Sequence, residues 1–392
     1  MRFGLYIHIP YCLQKCHYCD FTTFDLNHEI TMARYVQLLV TELHRGAPSC
    51  PEKKLSSIYF GGGTPSLLST DSILTLIKEI ANAGFEFLPQ MEITIEINPG
   101  TIDAQKLDLY LAAGINRFSV GVQTFDEKLL RLCGREHSAD DSRSTLQLLS
   151  DQGVNYSFDL LFGLPGQSLS DLAIDLDELA RFSPPHVSLY NLTVPQQHFM
   201  NLNRANDETQ ADMFDLIDQR LSREGIFRYE LSNFAKSGNE SQHNLLYWSD
   251  LGYWGLGVSA HSYFPSKGPF GTRFWNPTSA KQYLEQTQGP AASPDRLPDR
   301  LPKRQVEELK VHEAATDFCH THLRVMRGLS VSQLEKKFPP HVVSVISGRL
   351  RQLETTGLLE ADGAHLRLSA TGRPVANQIF LKLTFLDGDF SA

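Results

Sequence analysis

In the first half of the chain, short apolar runs alternate with stretches of helical periodicity, and this alternation narrows the fold more than any other feature. The strand candidates are Leu5–Ile9, Ser57–Phe60, Glu92–Ile97, Arg117–Val122, Ser157–Leu161 and Val187–Thr193. Between them, Met32–His44, Thr70–Asn82, Ala104–Ala113, Ala139–Gln152 and Leu169–Phe182 carry apolar residues at helical spacing. Strands separated by helices run parallel, joined by right-handed crossovers. Six such units predict an α/β fold, an open partial (β/α)6 barrel of the TIM-like kind rather than a flat doubly wound sheet. Polar or glycine-rich clusters follow most of the strands, at the ends where barrel enzymes build their sites.

After Thr193 the alternation weakens. Asp207–Glu224 reads as a helix, and a glycine- and aromatic-rich stretch runs through "HNLLYWSDLGYWGLGVSAHSY". Pro290–Pro302 reads as a linker. Beyond it Val306–Leu323, Val331–Lys337 and Val342–Thr356 look helical, with a β-ribbon around Gly357–Leu368, which together predict a small winged-helix-like domain. The expected organisation is a core over residues 1–200, an extension over 201–290 and a C-terminal domain over 291–392.

With 41% hydrophobic and 21% charged residues, the composition is that of an ordinary globular protein. The net charge of -9 argues against a broad nucleic-acid footprint. Arg324, Arg327, Lys336, Lys337, Arg349 and Arg351 could form a basic face on the last domain, but such residues usually just solvate helices, so no nucleic-acid partner is expected. No apolar run of about 18 residues occurs and nothing N-terminal resembles a signal peptide, so a cytoplasmic location is expected.

Six cysteines are too few for a disulfide framework, and half of them crowd into Cys12, Cys16 and Cys19 directly after the first strand. Thiolates at this density bind soft or borderline metals. Structural zinc takes four closed ligands, usually in two separated pairs. No second pair follows here; a Cys3His zinc site completed by His8 or His17 stands as the alternative to an iron–sulfur cluster held by three cysteines.

The segment Cys12-Leu-Gln-Lys-Cys16-His-Tyr-Cys19, with an aromatic residue before its last cysteine, resembles the signature of the radical S-adenosylmethionine superfamily. The resemblance implies a 4Fe-4S cluster on Cys12, Cys16 and Cys19. Its open fourth iron would chelate S-adenosylmethionine, which is cleaved reductively to a 5′-deoxyadenosyl radical. The glycines of "FGGGTPSLL", Phe60–Leu68, let backbone approach a ligand closely, and this loop is similar to the segment that holds the methionine moiety in that family. Glu96, Gln123, Arg135 and Asp159 fall late in or after predicted strands. Glu96 and Asp159 are costly in apolar strands unless paired, with a structural ion pair as the bland alternative. By resemblance to the coproporphyrinogen-oxidase branch, Tyr6, Gly62 and Glu96 would contact the cluster-bound S-adenosylmethionine. Tyr18, Gly63, Thr64, Gln123, Arg135 and Asp159 match positions that hold a second molecule there; whether one or two bind is open at this point.

Within the superfamily the chain is most similar to the heme-chaperone branch, a relative of oxygen-independent coproporphyrinogen III oxidase. The oxidase extends the triplet with a cysteine two residues on, where this chain has Asp20 and Phe21, and it carries a longer segment before the position of Tyr6. Both differences argue against porphyrinogen decarboxylation, which remains the alternative function, and no catalytic residue is assigned. "HNLLYW", His243–Trp248, matches the H-N-x-x-Y-W motif of the chaperone branch. In a helix, His243 and Tyr247 share a face; imidazole and phenolate are both heme-iron ligands. Trp248, Tyr253 and Trp254 add flat apolar surface. The bland alternative is an aromatic core loop with His243 bonded internally, and His261 reads as structural. The resemblance implies a heme chaperone whose cargo passes to acceptor apoproteins such as respiratory enzymes or cytochromes. Peripheral membrane association and homodimer formation are compatible with it.

Overall fold

The computed structural model describes residues 2–288 and 306–390. The proposed linker Pro290–Pro302 lies outside them. Six parallel strands run side by side in sequence order: β1 (Phe3–Ile9), β2 (Lys54–Gly62), β3 (Glu86–Ile97), β4 (Arg117–Gln123), β5 (Tyr156–Phe162) and β6 (His186–Asn191). Their helix-facing residues, among them Leu5, Ile7, Ile58, Phe60, Ile95, Phe118, Val120, Phe158 and Leu160, are fully buried. The helices Met32–Gly46, Thr70–Asn82, Ala104–Ala112, Ala139–Asp151 and Leu169–Phe182 form the crossovers. The alternation read from the sequence is therefore the architecture, an α/β fold of the partial-barrel kind. Helices start where polar caps allow: Ser69, Asp103, Ser138 and Ser168 each accept a backbone N–H of the first turn.

Both edges of this run are extended. Beyond β6 lie β8 (Asn233–Ala235) and β7 (Phe227–Arg228), with β8 antiparallel to β6. On the other side β9 (Gly252–Leu256) pairs parallel with β1, followed antiparallel by β10 (His261–Phe264), β11 (Thr272–Trp275) and β12 (Val306–Glu308). The predicted helix Val306–Leu323 is thus divided: its first residues are an edge strand of the large sheet, and helix begins at Val311.

The C-terminal residues form a winged helix. Helices Val311–Arg324, Val331–Lys337 and Pro340–Thr355 enclose a second apolar core with Phe318, Leu334, Ile346 and Leu350, and β13 (Leu329–Ser330), β14 (Leu359–Asp362) and β15 (His365–Leu368) form the wing in the order β13-β15-β14. The same core includes Tyr263 of β10, with Tyr253 of β9 packed against it, so this domain sits on the face of the sheet's extension opposite Trp254, the face that also carries Tyr6. Half of the candidate basic face is committed: the Lys337 ammonium lies 2.6 Å from Asp250, Arg349 lies 2.8 Å from Asp389, and Arg324 stacks over Trp248. Among the described residues no helix is long and apolar enough to cross a membrane.

Candidate functional site

β1 ends at Ile9 and releases the chain into the cysteine loop. The loop is closed at its root by two backbone bonds, Phe24 N–H to Pro10 O at 2.7 Å and Cys12 N–H to Phe24 O at 3.0 Å. The glycine loop after β2 docks on the same root, with Gly63 N–H donating to Ile9 O at 2.8 Å. A Cβ on Gly63 would stand 2.7 Å from the Tyr11 carbonyl oxygen, so this approach requires glycine. Gly62 has φ +115 and lies against the His8 ring. Its N–H donates to Glu96 Oε2 at 3.0 Å.

All six cysteines are free, and the thiols of Cys12, Cys16 and Cys19 face a cavity of about 910 Å³. A ring of polar contacts starts and ends on these sulfurs. Thr64 Oγ1 lies 3.9 Å from Cys12 Sγ and accepts from Asn98 Nδ2 at 2.9 Å. Asn98 Oδ1 in turn accepts from Arg135 Nη2 at 2.8 Å, and Arg135 Nη1 donates to Cys16 Sγ at 3.2 Å. Asn98 escaped the sequence reading. Its signal was its place two residues after Glu96, on the same side of the strand end.

The donor set can be tested against the two metals. Burial pushes the Cys12 thiol up to about 11 and raises Cys19 as well, so thiolates here need a bound metal to form. Among the described residues no three His, Cys, Asp or Glu side chains converge on one ion position. Of the two candidate fourth zinc ligands, His8 is engaged at both ring nitrogens, 3.0 Å from the Tyr6 hydroxyl and from Thr22 O, whereas His17 is held at Nδ1 only, 2.9 Å from Leu132 O. Three spread thiols with a guanidinium donor at one sulfur fit a cluster, whose thiolates sit on separate irons and whose negative charge such donors offset.

The 910 Å³ cavity gathers almost every other predicted S-adenosylmethionine residue: Tyr18, Gly62, Gly63, Thr64, Glu96, Gln123, Arg135 and Asp159 line it. Gln123 is held at φ 72, where the β4–β5 register shifts, which turns the chain at this strand end. Burial raises the Glu96 carboxyl to about 7, against the bonds from the Tyr59 hydroxyl (2.7 Å) and Gly62. Burial also raises Asp159, opposed by Ser188 and the Arg117 charge. Tyr6 is the exception. It lines a neighbouring cavity of about 290 Å³, which shares Gly62, Glu96 and Asp159 with the first and continues to Tyr59, His243 and Tyr247.

Helix Gln242–Tyr247 carries the H-N-x-x-Y-W motif and is seated by residues distant in sequence. Glu92 on β3 accepts from the N–H groups of Gln242 and His243, both at 3.0 Å, matching carboxylate to helix N-terminus. Its neighbour across the sheet, Ser57, lies 2.8 Å from His243 Nδ1. The other ring nitrogen lies 2.9 Å from the Tyr247 hydroxyl, and the ring stacks on Tyr59. His243 is fully buried, and burial with the nearby Arg117 charge lowers its pKa to about 3. The predicted pair is together as the i, i+4 spacing requires. The imidazole, however, has both nitrogens occupied within the protein, so direct ligation of heme iron would require it to release both bonds. Trp254 points into the main core and offers no open surface, whereas Tyr247, Trp248 and Tyr253 line a separate cavity of about 660 Å³ between the sheet extension and the C-terminal domain.

Known proteins match this layout in both parts of the chain. The Radical SAM superfamily model matches residues 6–179, and the HemN C-terminal domain model matches residues 310–375. The "Heme chaperone HemW" of Bacillus subtilis (strain 168) is 32% identical over 96% of this chain and 97% of its own length. That of Lactococcus lactis subsp. lactis is 31% identical over 98% of each, and that of Escherichia coli (strain K12) is 39% identical over 66% of this chain and 69% of its own. Among solved structures, coproporphyrinogen III oxidase (HemN) from Escherichia coli superposes with a TM-score of 0.80 over 97% of this chain and 90% of that one, at 23% identity, a likeness of fold.

Proposed function

The chain belongs to the HemW family of heme chaperones in the radical S-adenosylmethionine superfamily, and from that premise we propose that it binds heme and passes it to acceptor apoproteins, such as respiratory enzymes or cytochromes. The observation that carries the proposal is the adjacency of two differently built cavities. One is faced by free thiols and by Glu96, Gln123, Arg135 and Asp159. The other is walled by Tyr6, Tyr247, Trp248, Tyr253 and Tyr263, flat side chains suited to a porphyrin, at a volume typical of small-molecule sites. Phe21, which stands where the oxidase has a further cysteine, lines both.

Cys12, Cys16 and Cys19 would hold a 4Fe-4S cluster, and the glycine loop, Tyr6, Tyr18, Gln123, Arg135 and Asp159 would hold S-adenosylmethionine. A cluster bound there would supply an electron to the sulfonium. The protein's own residues orient the ligands. Arg135 fixes the Cys16 sulfur and carries positive charge beside an anionic cluster, Thr64 and Asn98 fix the Cys12 side, and Glu96 holds the Gly62 amide in place. Tyr247 faces the heme cavity, and His243 orients its hydroxyl.

Anaerobic cluster reconstitution, followed on one sample by hemin titration, transfer to an apo-cytochrome and assay for 5′-deoxyadenosine, tests this reading. Cluster uptake with stoichiometric hemin binding and transfer is the expected result. A wild-type protein that binds no hemin refutes it, and protoporphyrinogen formed from coproporphyrinogen III would establish the oxidase reading instead.

A further inference from the structure

Residues on β9, β10 and β11 alternate between two faces. Trp254, Phe264 and Phe274 enter the main core and are buried to within 2% exposure. Their neighbours Tyr253, His261, Tyr263 and Arg273 therefore face the other way, and all four line the 660 Å³ cavity. The opposite wall is the helix Val311–Arg324, which presents Ala314, Asp317 and Thr321 from one face. Tyr247 and Trp248 close the side, with the Trp248 ring braced by the Arg324 guanidinium 4.7 Å from its centroid.

Within this cavity the candidate iron ligands differ in what they have free. His8 is held on both nitrogens, and the Tyr247 hydroxyl by His243. Tyr263 donates to Asp250 at 2.6 Å. The Tyr253 hydroxyl would have to give up its proton to ligate iron, against a pKa that burial raises to about 12. His261 is exposed, its ring lies nearly parallel to Trp275 (17°, centroids 5.6 Å apart), and no described residue hydrogen-bonds either of its nitrogens. The stack fixes the ring plane of a residue that lines the cavity. Desolvation against the sheet and the Arg273 charge lower its pKa, so a lone pair is available at neutral pH.

We infer that His261, rather than His243, supplies the imidazole to the iron of a heme seated in the cavity between β9–β11 and the C-terminal domain, an inference that rests on the heme-binding reading above. The porphyrin plane lies among Tyr247, Trp248, Tyr253 and Tyr263. Its propionates meet Arg273, which now pairs with Glu307 and Asp317, and Lys337, which now pairs with Asp250, so binding exchanges one carboxylate for another.

The test is ferric hemin titration of the full-length, cluster-loaded protein, read by the Soret band and by the low-spin electron paramagnetic resonance signal of imidazole-ligated iron. His261→Ala is expected to lose that signal and weaken binding by at least about tenfold, and added imidazole is expected to restore the signal. His261→Met is expected to keep binding with an altered axial-ligand spectrum. His243→Gln is expected to weaken binding through the lost Tyr247 contact while keeping the low-spin signal of imidazole-ligated iron. An unchanged spectrum in His261→Ala, with the signal lost in His243→Gln, would overturn the inference and leave the chaperone reading standing. Absence of hemin binding by the wild type would instead remove the reading on which it rests.

Discussion

Around the cysteine loop, the polar neighbours hold backbone and side chains in place while leaving the sulfurs open: Gly63 ties the loop root, and Arg135 and Thr64 reach the thiols from one side. Around His243 the same kinds of groups close on the side chain itself. Ser57 and Tyr247 occupy both nitrogens, and Glu92 occupies the amides beneath. One region is built to receive and the other to support. A short motif thus identifies a neighbourhood, and burial decides which member of it can reach a ligand.

The largest expected effect breaks the receiving region. Cys12→Ala, Cys16→Ala or Cys19→Ala should each abolish the reconstituted cluster, seen as loss of the broad visible absorbance and of stoichiometric iron and sulfide, while circular dichroism stays that of the wild type. Retention of full cluster content in any one of them would reopen the question of the fourth ligand. The supporting region is tested by Glu92→Ala. It strips two amide bonds from the motif helix and leaves the buried Arg117, 3.9 Å away, without this carboxylate. Loss of one partner of a buried pair costs about 3–5 kcal/mol, measurable as a lowered denaturation midpoint. A change below about 0.5 kcal/mol, the range of ordinary surface substitutions, would show that Glu92 does not frame the helix.

The smallest effect sharpens the boundary, since Glu96 lines both the cysteine cavity and the one containing His243. Burial raises its folded pKa from 4.5 to about 7. The folded state therefore binds this proton more tightly than the unfolded one, so the contribution is full below pH 4.5 and is lost as pH rises through 7. The melting temperature of the cluster-free protein should decline across that window, and Glu96→Gln should flatten the decline. An identical profile in both proteins would mean that Glu96 is not the group responsible.

What could be read from the sequence follows from how local each signal is. The βα alternation placed six strands because each run is bounded by its own helix. β3 begins earlier than predicted, at Glu86, because the Pro89-containing segment before Glu92 is recruited by pairing with Lys54 and Leu55, past a residue with positive φ at Gln90. The short helix Glu127–Leu132 was missed, being too brief to show periodicity, although Asp126 caps it. The cysteines were legible from spacing alone. The fate of His243 was not, since it is set by Ser57, 186 positions away, and Glu92, 151 away. Nor was the exposure of His261, which depends on alternation in a four-residue strand whose partners are β9 and β11.

The place of β1 in the sheet also sets a timetable. Its edge away from β2 is completed by β9, whose last residue is Leu256. At about 5–20 residues per second of synthesis, roughly 10–50 s separate the emergence of the cysteine loop from that of the strand that completes the pairing of β1. During that interval the thiols are borne on a strand paired along only one side. Iron and sulfide delivered then would meet a root still able to move, and delivery afterwards would meet a finished frame.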